Sequence, residues 1–404
     1  MSIPRLAWDE VLARVVDDAH LVTGDQISVM LDSAVRRVGL TAEVLMVDLA
    51  QQVLRPVSPQ TLPSVGVEGT VAGRAYQFGE ILPAYDGQGG RLLWVPMLDG
   101  TERLGVLRIG LTEETIDDQE LRERCWTLSG LIGHILMSKT AYSDRLRRLR
   151  SGSLSAPSEL LWQLVPPRTF ATDQVLVTAL LEPYDRVAGD AYDYAAERST
   201  MHLAVFDAVG HDMQACLATA VAMTTIRNLR RAGETDLAVL AARADQLLAQ
   251  QPRPLRFVTA VLARLNTETG LLHYLIAGHP RPLVVRGGRV VKELAHRGRL
   301  PLGLSPTTAE NAVTGQEQLE PGDRLLLYSD GITEARDAAG QFFGEQRLVD
   351  FTERSSLSRL SAPETLRRLT AAVLAHQSGR LQDDATLLMV DWSTNSHHRM
   401  SPTF

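Results

Sequence analysis

Residues 201–220, MHLAVFDAVGHDMQACLATA, decide how the second half of the chain is read. Met201 to Phe206 form a strand-like apolar run that stops at Asp207, and Gly210 then permits a turn that a larger residue would strain. A helical pattern follows over 213–231, with another over 236–250. An acid at a strand terminus has its backbone fixed by the sheet, while its side chain is free to meet others from the opposite edge. The same arrangement recurs along 170–392, a stretch of short apolar strands. Asp190 lies in RVAGDAYDY, Asp330 follows RLLLYS, and Asp383 opens DDATLLMV just before a strand.

Four carboxylates that converge must be neutralised, because two unit charges ~4 Å apart repel by roughly 4 kcal/mol at an effective dielectric near 20. Protons or cations must answer that repulsion. An all-oxygen donor set without a matching Cys or His cluster suits two Mg²⁺ or Mn²⁺ ions rather than zinc. Such a pair lowers the pKa of a shared water and neutralises phosphoryl oxygens. Taken one at a time the acids read more simply: Asp330-Gly331 is also an ordinary turn, and Asp383-Asp384 is also a solvated pair.

Six blocks in order carry a more specific reading: RVAGDAYDY (186–194), VFDAVGHDMQACLATA (205–220), RFVTAVLARLNTETGLLHYLIAGHPRPLVVR (256–286), PLGL (301–304), LLLYSDGITEARDAAGQFFG (325–344) and DDATLLMV (383–390). Over about 220 residues they resemble the PPM (PP2C-like) serine/threonine phosphatases of the bacterial SpoIIE/RsbU type. The resemblance implies a β-sandwich flanked by helices, with the site at one end of the sandwich. It makes Asp207 the carboxylate bridging two metals, puts the Ala208 carbonyl on one of them, and gives Asp330 and Asp383 the other. Asp190 would serve the ion on the Ala208 side. Asp193 is either a further ligand or a surface acid beside two tyrosines. The substrate implied is a phosphorylated STAS-domain anti-sigma-factor antagonist. Ala188 and Asp212 depart from the family's usual glycines, and Asp212 suits a helix N-terminus. His211 is a candidate for touching a metal-bound water, and His279 reads as loop architecture. Gly331 is expected to serve a turn, as Gly210 does.

N-terminal to this, residues 8–38 hold two helical patterns split at Thr23-Gly24-Asp25. Segments 43–49 and 53–57 read as strands, and 91–97 with 103–111 as a hairpin. VEGTVAGRAYQFGE (67–80) and LWVPMLDGTERLGVLRIG (93–110) resemble a GAF domain, a class that binds small ligands or pairs with itself. Leu121, Cys125, Leu128, Ile132, Ile135, Lys139, Tyr142, Leu146 and Leu149 alternate steps of four and three. That seam fits a homodimeric coiled coil or an ordinary packing face. Cys125 on it reads as a core or interface thiol. A break of small residues over 151–158 precedes a short helix at 159–164, ended by Pro166-Pro167.

The organisation expected is thus α+β: a GAF-like antiparallel sheet with flanking helices (1–120), linker helices (121–169), a PP2C-like sandwich (170–392) and a disordered tail (393–404). Its 41 basic and 48 acidic residues give a net charge of −7, which argues against nucleic-acid binding. Two cysteines fit a reducing cytoplasm, and no apolar run suggests a membrane span. No P-loop or Ser-His-Asp arrangement points to NTP hydrolysis or a covalent route. The rival readings are a non-catalytic phosphoprotein-binding scaffold and a hydrolase of small phosphate esters.

Overall fold

The computed structural model of the chain describes residues 4–58, 62–152, 154–182, 189–210, 212–251, 257–295, 298–304, 314–358, 360–379 and 381–394. They fall into two compact units, one up to residue 152 and the other from Leu154 onward. His211, Ala188 and residues 395–404 of the tail lie outside the described residues. No helix among the described residues is long and apolar enough to cross a membrane.

The first unit opens with α1 (Arg5–Ala19) and α2 (Ile27–Val35), parted by a short 3-10 turn that Thr23 and Gln26 close as a capping box. There follow β1 (Thr41–Val47), β2 (Val53–Pro56), β3 (Val65–Gly66), α3 (Val71–Phe78), β4 (Leu82–Tyr85), β5 (Arg91–Asp99) and β6 (Glu102–Gly110). The strands make one antiparallel sheet in the order β3-β2-β1-β6-β5-β4. Alternation sorts its residues: Ala42, Val44, Met46, Leu93, Val95 and Met97 face one core. Leu45, Val47, Leu92 and Trp94 face a second core completed by α3.

Helices α4 (Gln119–Thr140) and α5 (Asp144–Ser151) close the first of these cores, and this corrects the coiled-coil reading. Leu121, Cys125, Leu128, Ile132, Ile135 and Leu146, all seam positions, are buried in the core under the unit's own sheet. The approach is close. Ser129 donates to the Pro96 carbonyl (2.7 Å), and a Cβ on Gly133 would stand 2.3 Å from the Leu98 carbonyl oxygen. The helix stops at Thr140, so Tyr142, the next seam position, lies outside it and is exposed. These six seam positions pack inside one chain. Burial pushes the Cys125 thiol up to about 12, as befits a core thiol.

The second unit begins with α6 (Ala156–Leu164), β7 (Thr169–Ala171), β8 (Val175–Glu182), β9 (Asp190–Glu197), β10 (Thr200–Ala208), α7 (Met213–Arg231) and α8 (Leu237–Ala249). It continues with β11 (Val258–Asn266), β12 (Leu271–Ala277), β13 (Leu283–Arg286), β14 (Arg289–Glu293), β15 (Gly315–Gln318) and β16 (Arg324–Tyr328). It closes with α9 (Asp330–Thr333), α10 (Glu345–Leu357), α11 (Ala362–His376) and β17 (Ala385–Trp392). Two antiparallel sheets result, ordered β15-β12-β11-β10-β9 and β14-β13-β16-β17-β8-β7. Between them Val177, Leu181, Tyr192, Val205, Leu327 and Leu388 share one core. The opposite parity of the first sheet, including Ala204, Phe206, Ala208 and Ala260, packs under α7 and α8. Because β10 is buried on both faces, Met201–Phe206 is apolar except for the buried His202. Helix α11 packs on β8 and β17 of the other sheet. The fold is the helix-flanked sandwich expected from the sequence.

Candidate active site

Strand parity decides which acids meet. On β10, Leu203 and Val205 point between the sheets, so Asp207 does too. On β9, Tyr192 and Tyr194 point the same way, which sends Asp190 inward. The two are direct cross-strand partners in the antiparallel register. In the second sheet Leu325 and Leu327 of β16 face the same core, and Tyr328 pairs with Leu387 of β17. Beyond that pair, Ser329 and Thr386 exchange bonds: the Ser329 amide donates to the Thr386 carbonyl and the Thr386 amide to Ser329 Oγ, each at 3.0 Å. Asp330 therefore starts α9 beside the segment carrying Asp383 and Asp384.

The structure brings Asp190, Asp207, Asp330 and Asp383 to one end of the sandwich, with Ala208 next to Asp207. It adds Asp384, which the sequence reading left as half of a solvated pair. Asp190 and Asp384 are buried at 2% and 3% exposure, Asp207 and Asp330 are half-buried, and Asp383 is exposed at the rim. The Asp384 carboxylate accepts from the Gly189 amide and, at 3.4 Å, from the Asp190 amide. Gly331 is there for close approach rather than for a turn: a Cβ would stand 1.8 Å from the Asp384 carbonyl oxygen. Gly210 has φ +90°, as its turn requires.

Crowding shows in the carboxyl groups. Burial first, then the charges of Asp330 and Asp383, push Asp207 up to about 8. Burial, then Asp207 and Asp384, hold Asp190 well above the usual carboxylate range, and nearby Ser329 and Thr386 offset only part of this. Asp330 is raised by burial, then by Asp383 and Glu334. Asp190 Oδ2 is buried with no hydrogen-bond partner. An orphaned carboxylate oxygen amid carboxylates with raised pKa fits a hard divalent cation in donor type and in charge. Among the described residues no group of three or more His, Cys, Asp or Glu side chains is arranged to hold a metal ion as it stands.

Other candidates fall away. Asp193 is neither a ligand nor a surface acid: its parity on β9 is opposite to that of Asp190, and it is 2% exposed. It pairs with Arg227 (2.6 Å) and Arg230 (3.1 Å) of α7. Asp212 caps α7, accepting from the Ala215 amide at 2.9 Å. His279 is buried, bonded through Nδ1 to Thr259 Oγ1 (2.7 Å), and held near 3 by burial, so it stays neutral behind the cross-strand partner of Asp207.

A sandwich with carboxylates from both sheets gathered at one end is the arrangement that the resemblance to PP2C-like phosphatases implies. Residues 197–393 match the family described as Stage II sporulation protein E (SpoIIE). Among curated proteins, the phosphoserine phosphatase RsbU of Bacillus subtilis is 26% identical over 222 residues, which cover 53% of this chain and 62% of RsbU. Protein IcfG of Synechocystis is 28% identical over 135 residues, 33% of this chain and 20% of that protein. The chain thus spans less than two thirds of either relative. Among solved structures, the RsbU and RsbW domains of Rv1364c from Mycobacterium tuberculosis align at TM-score 0.48 and 24% identity, over 57% of this chain and 62% of that one. The SiaA-PP2C domain of Pseudomonas aeruginosa aligns at TM-score 0.47 and 22% identity, over 54% and 85%.

Proposed function

We propose that the second unit is a divalent-metal-dependent phosphatase acting on phosphoserine or phosphothreonine of a protein. The observation that carries this is the gathering of Asp190, Asp207, Asp330 and Asp383 at one sandwich end, with the first three raised in pKa by burial and mutual repulsion. Two Mn²⁺ or Mg²⁺ ions would be held by Asp190, Asp207 and the Ala208 carbonyl for one, and by Asp207, Asp330 and Asp383 for the other. Bound there, the ions would supply an acidified water and neutralise phosphoryl oxygens. The protein's part is to fix the carboxylates on strand ends, bury Asp190 as the floor and leave Asp383 open to substrate. His279, neutral and packed, is no proton donor at neutral pH.

The substrate we favour is a phosphorylated STAS-domain antagonist of an anti-sigma factor. The printed name of the RsbU relative, a phosphoserine phosphatase, supports the reaction class. Exposed Val209, Met213 and Leu217, following Asp207, give an apolar rim suited to a protein rather than to a small ester. The first unit, GAF-like in sequence, would be the sensor that sets activity. The two buried free thiols suit a reducing compartment, and we place the protein in the cytoplasm. The test is phosphopeptide turnover with Mn²⁺ or Mg²⁺ by wild type and Asp207→Asn; the variant should lose activity on the order of 10³-fold. Equal rates would remove the metal mechanism, and binding without turnover in the wild type would make the unit a scaffold.

A further inference from the structure

We infer that Asp384 is a positioning residue, whose carboxylate fixes where Asp190 stands by holding the Gly189 amide. Only the kinetic arm of this inference rests on the phosphatase reading. Adjacent residues at a strand start point to opposite sides, so the Asp-Asp pair divides: Asp383 is exposed and Asp384 is 3% exposed. From just before β17 the Asp384 carboxylate reaches across the sandwich end, 195 residues away in sequence, and takes the Gly189 N–H. The other polar group of Gly189 is held from the opposite side. Thr219 Oγ1 of α7 donates to its carbonyl, as does the Ala208 amide at 3.3 Å.

Gly189 is thereby held through both its amide and its carbonyl. Space is limited as well: a Cβ at this position would stand 2.7 Å from the Gly210 carbonyl oxygen and 3.2 Å from that of Ala208. Asp190 is the next residue, so its Cα inherits a fixed place opposite Asp207. The same residue acts in a second direction, since the Asp384 main-chain carbonyl lies against Gly331, directly after Asp330. One side chain and its own peptide thus join the ends of β9, β17 and α9.

What the Gly189 amide needs is an acceptor of this shape, not a charge. A further negative charge adds to a cluster that already repels itself, as the raised carboxyl of Asp190 shows. The positioning role therefore separates from a ligand role by substitution. Asp384→Asn keeps an acceptor in place, Asp384→Ala removes it, and Thr219→Val removes the donor on the other side of the same residue without touching any charge.

Two measurements on the full-length protein test this. Hydrogen–deuterium exchange of peptides ending beyond Gly189, in metal-free protein, should accelerate about tenfold in Asp384→Ala and Thr219→Val and stay near wild type in Asp384→Asn. At saturating Mn²⁺, phosphopeptide kcat should fall roughly 10- to 100-fold in Asp384→Ala and remain within about threefold in Asp384→Asn, with KM little changed in either. Equal loss of kcat in the Asn and Ala variants would show that the charge matters, and the inference would be wrong. Unchanged exchange in Thr219→Val, or exchange in Asp384→Asn as fast as in Thr219→Val, would overturn it too, and needs no folded Asp384→Ala. A wild type without turnover would sink the phosphatase reading alone, since the exchange arm stands apart from catalysis.

Discussion

Asp207 carries a carboxyl pushed up to about 8, so in the metal-free fold it holds a proton that the unfolded chain, with an ordinary value of 3.8, has released. A group whose folded pKa is raised contributes stability that is lost as pH rises toward that value, and Asp190 and Asp330 share the direction. His279 acts oppositely. Its folded value is near 3 against 6.5, so it costs stability only as pH falls below about 6.5. Between about pH 6.5 and 8 the carboxylates act alone, and the metal-free protein should lose roughly 1–2 kcal/mol, within the ~1.4 kcal/mol per unit per group that linkage allows. Asp207→Asn should flatten this decline and raise the metal-free melting temperature at pH 8 by several degrees, at ~2–4 °C per kcal/mol. Melting scans across that range in chelator check both. A flat wild-type profile would mean that the acids do not crowd one another.

Strand β9 shows how much an element's two faces differ. Asp190 and Asp193 are three residues apart in one strand, yet one faces the acid cluster and the other faces α7, where two arginines neutralise it. Breaking a buried pair leaves charge uncompensated and typically costs about 3–5 kcal/mol. Asp193→Ala should therefore lower the melting temperature of the second unit by about 6–20 °C, while turnover per folded molecule at low temperature stays within about threefold. Lost Mn²⁺ affinity with an unchanged melting temperature would instead make Asp193 a ligand. The strand ends were legible in the sequence because an apolar run that stops at an acid is a local signal. What covers each face was not. Alternation in DAYDY marks two sides without saying that α7 lies on one of them, and Asp-Asp at 383–384 does not say which acid turns inward. Helix α4 repeats the lesson, for steps of three and four describe any amphipathic helix, and Gly133 and Ser129 bring it against β5 rather than against a second chain.

At the scale of the whole molecule each unit has its own cores, built in the first from α1, α2, α4 and a six-stranded sheet and in the second from two sheets and α7–α8. Units with separate cores are expected to unfold as separate cooperative steps. The acids that suit a divalent ion all belong to the second unit, so ion binding can stabilise that step alone. Ligand at about 100 times its dissociation constant adds ~2.7 kcal/mol to the state that binds it. Calorimetry of the intact chain should therefore show two transitions, of which Mn²⁺ raises one by about 5–10 °C and leaves the other in place. In Asp207→Asn the ion-dependent rise should vanish while both transitions persist. If Mn²⁺ moved both transitions equally in the wild type, the two units would be energetically coupled, and a signal sensed in the first would then have a direct thermodynamic route to the metal site.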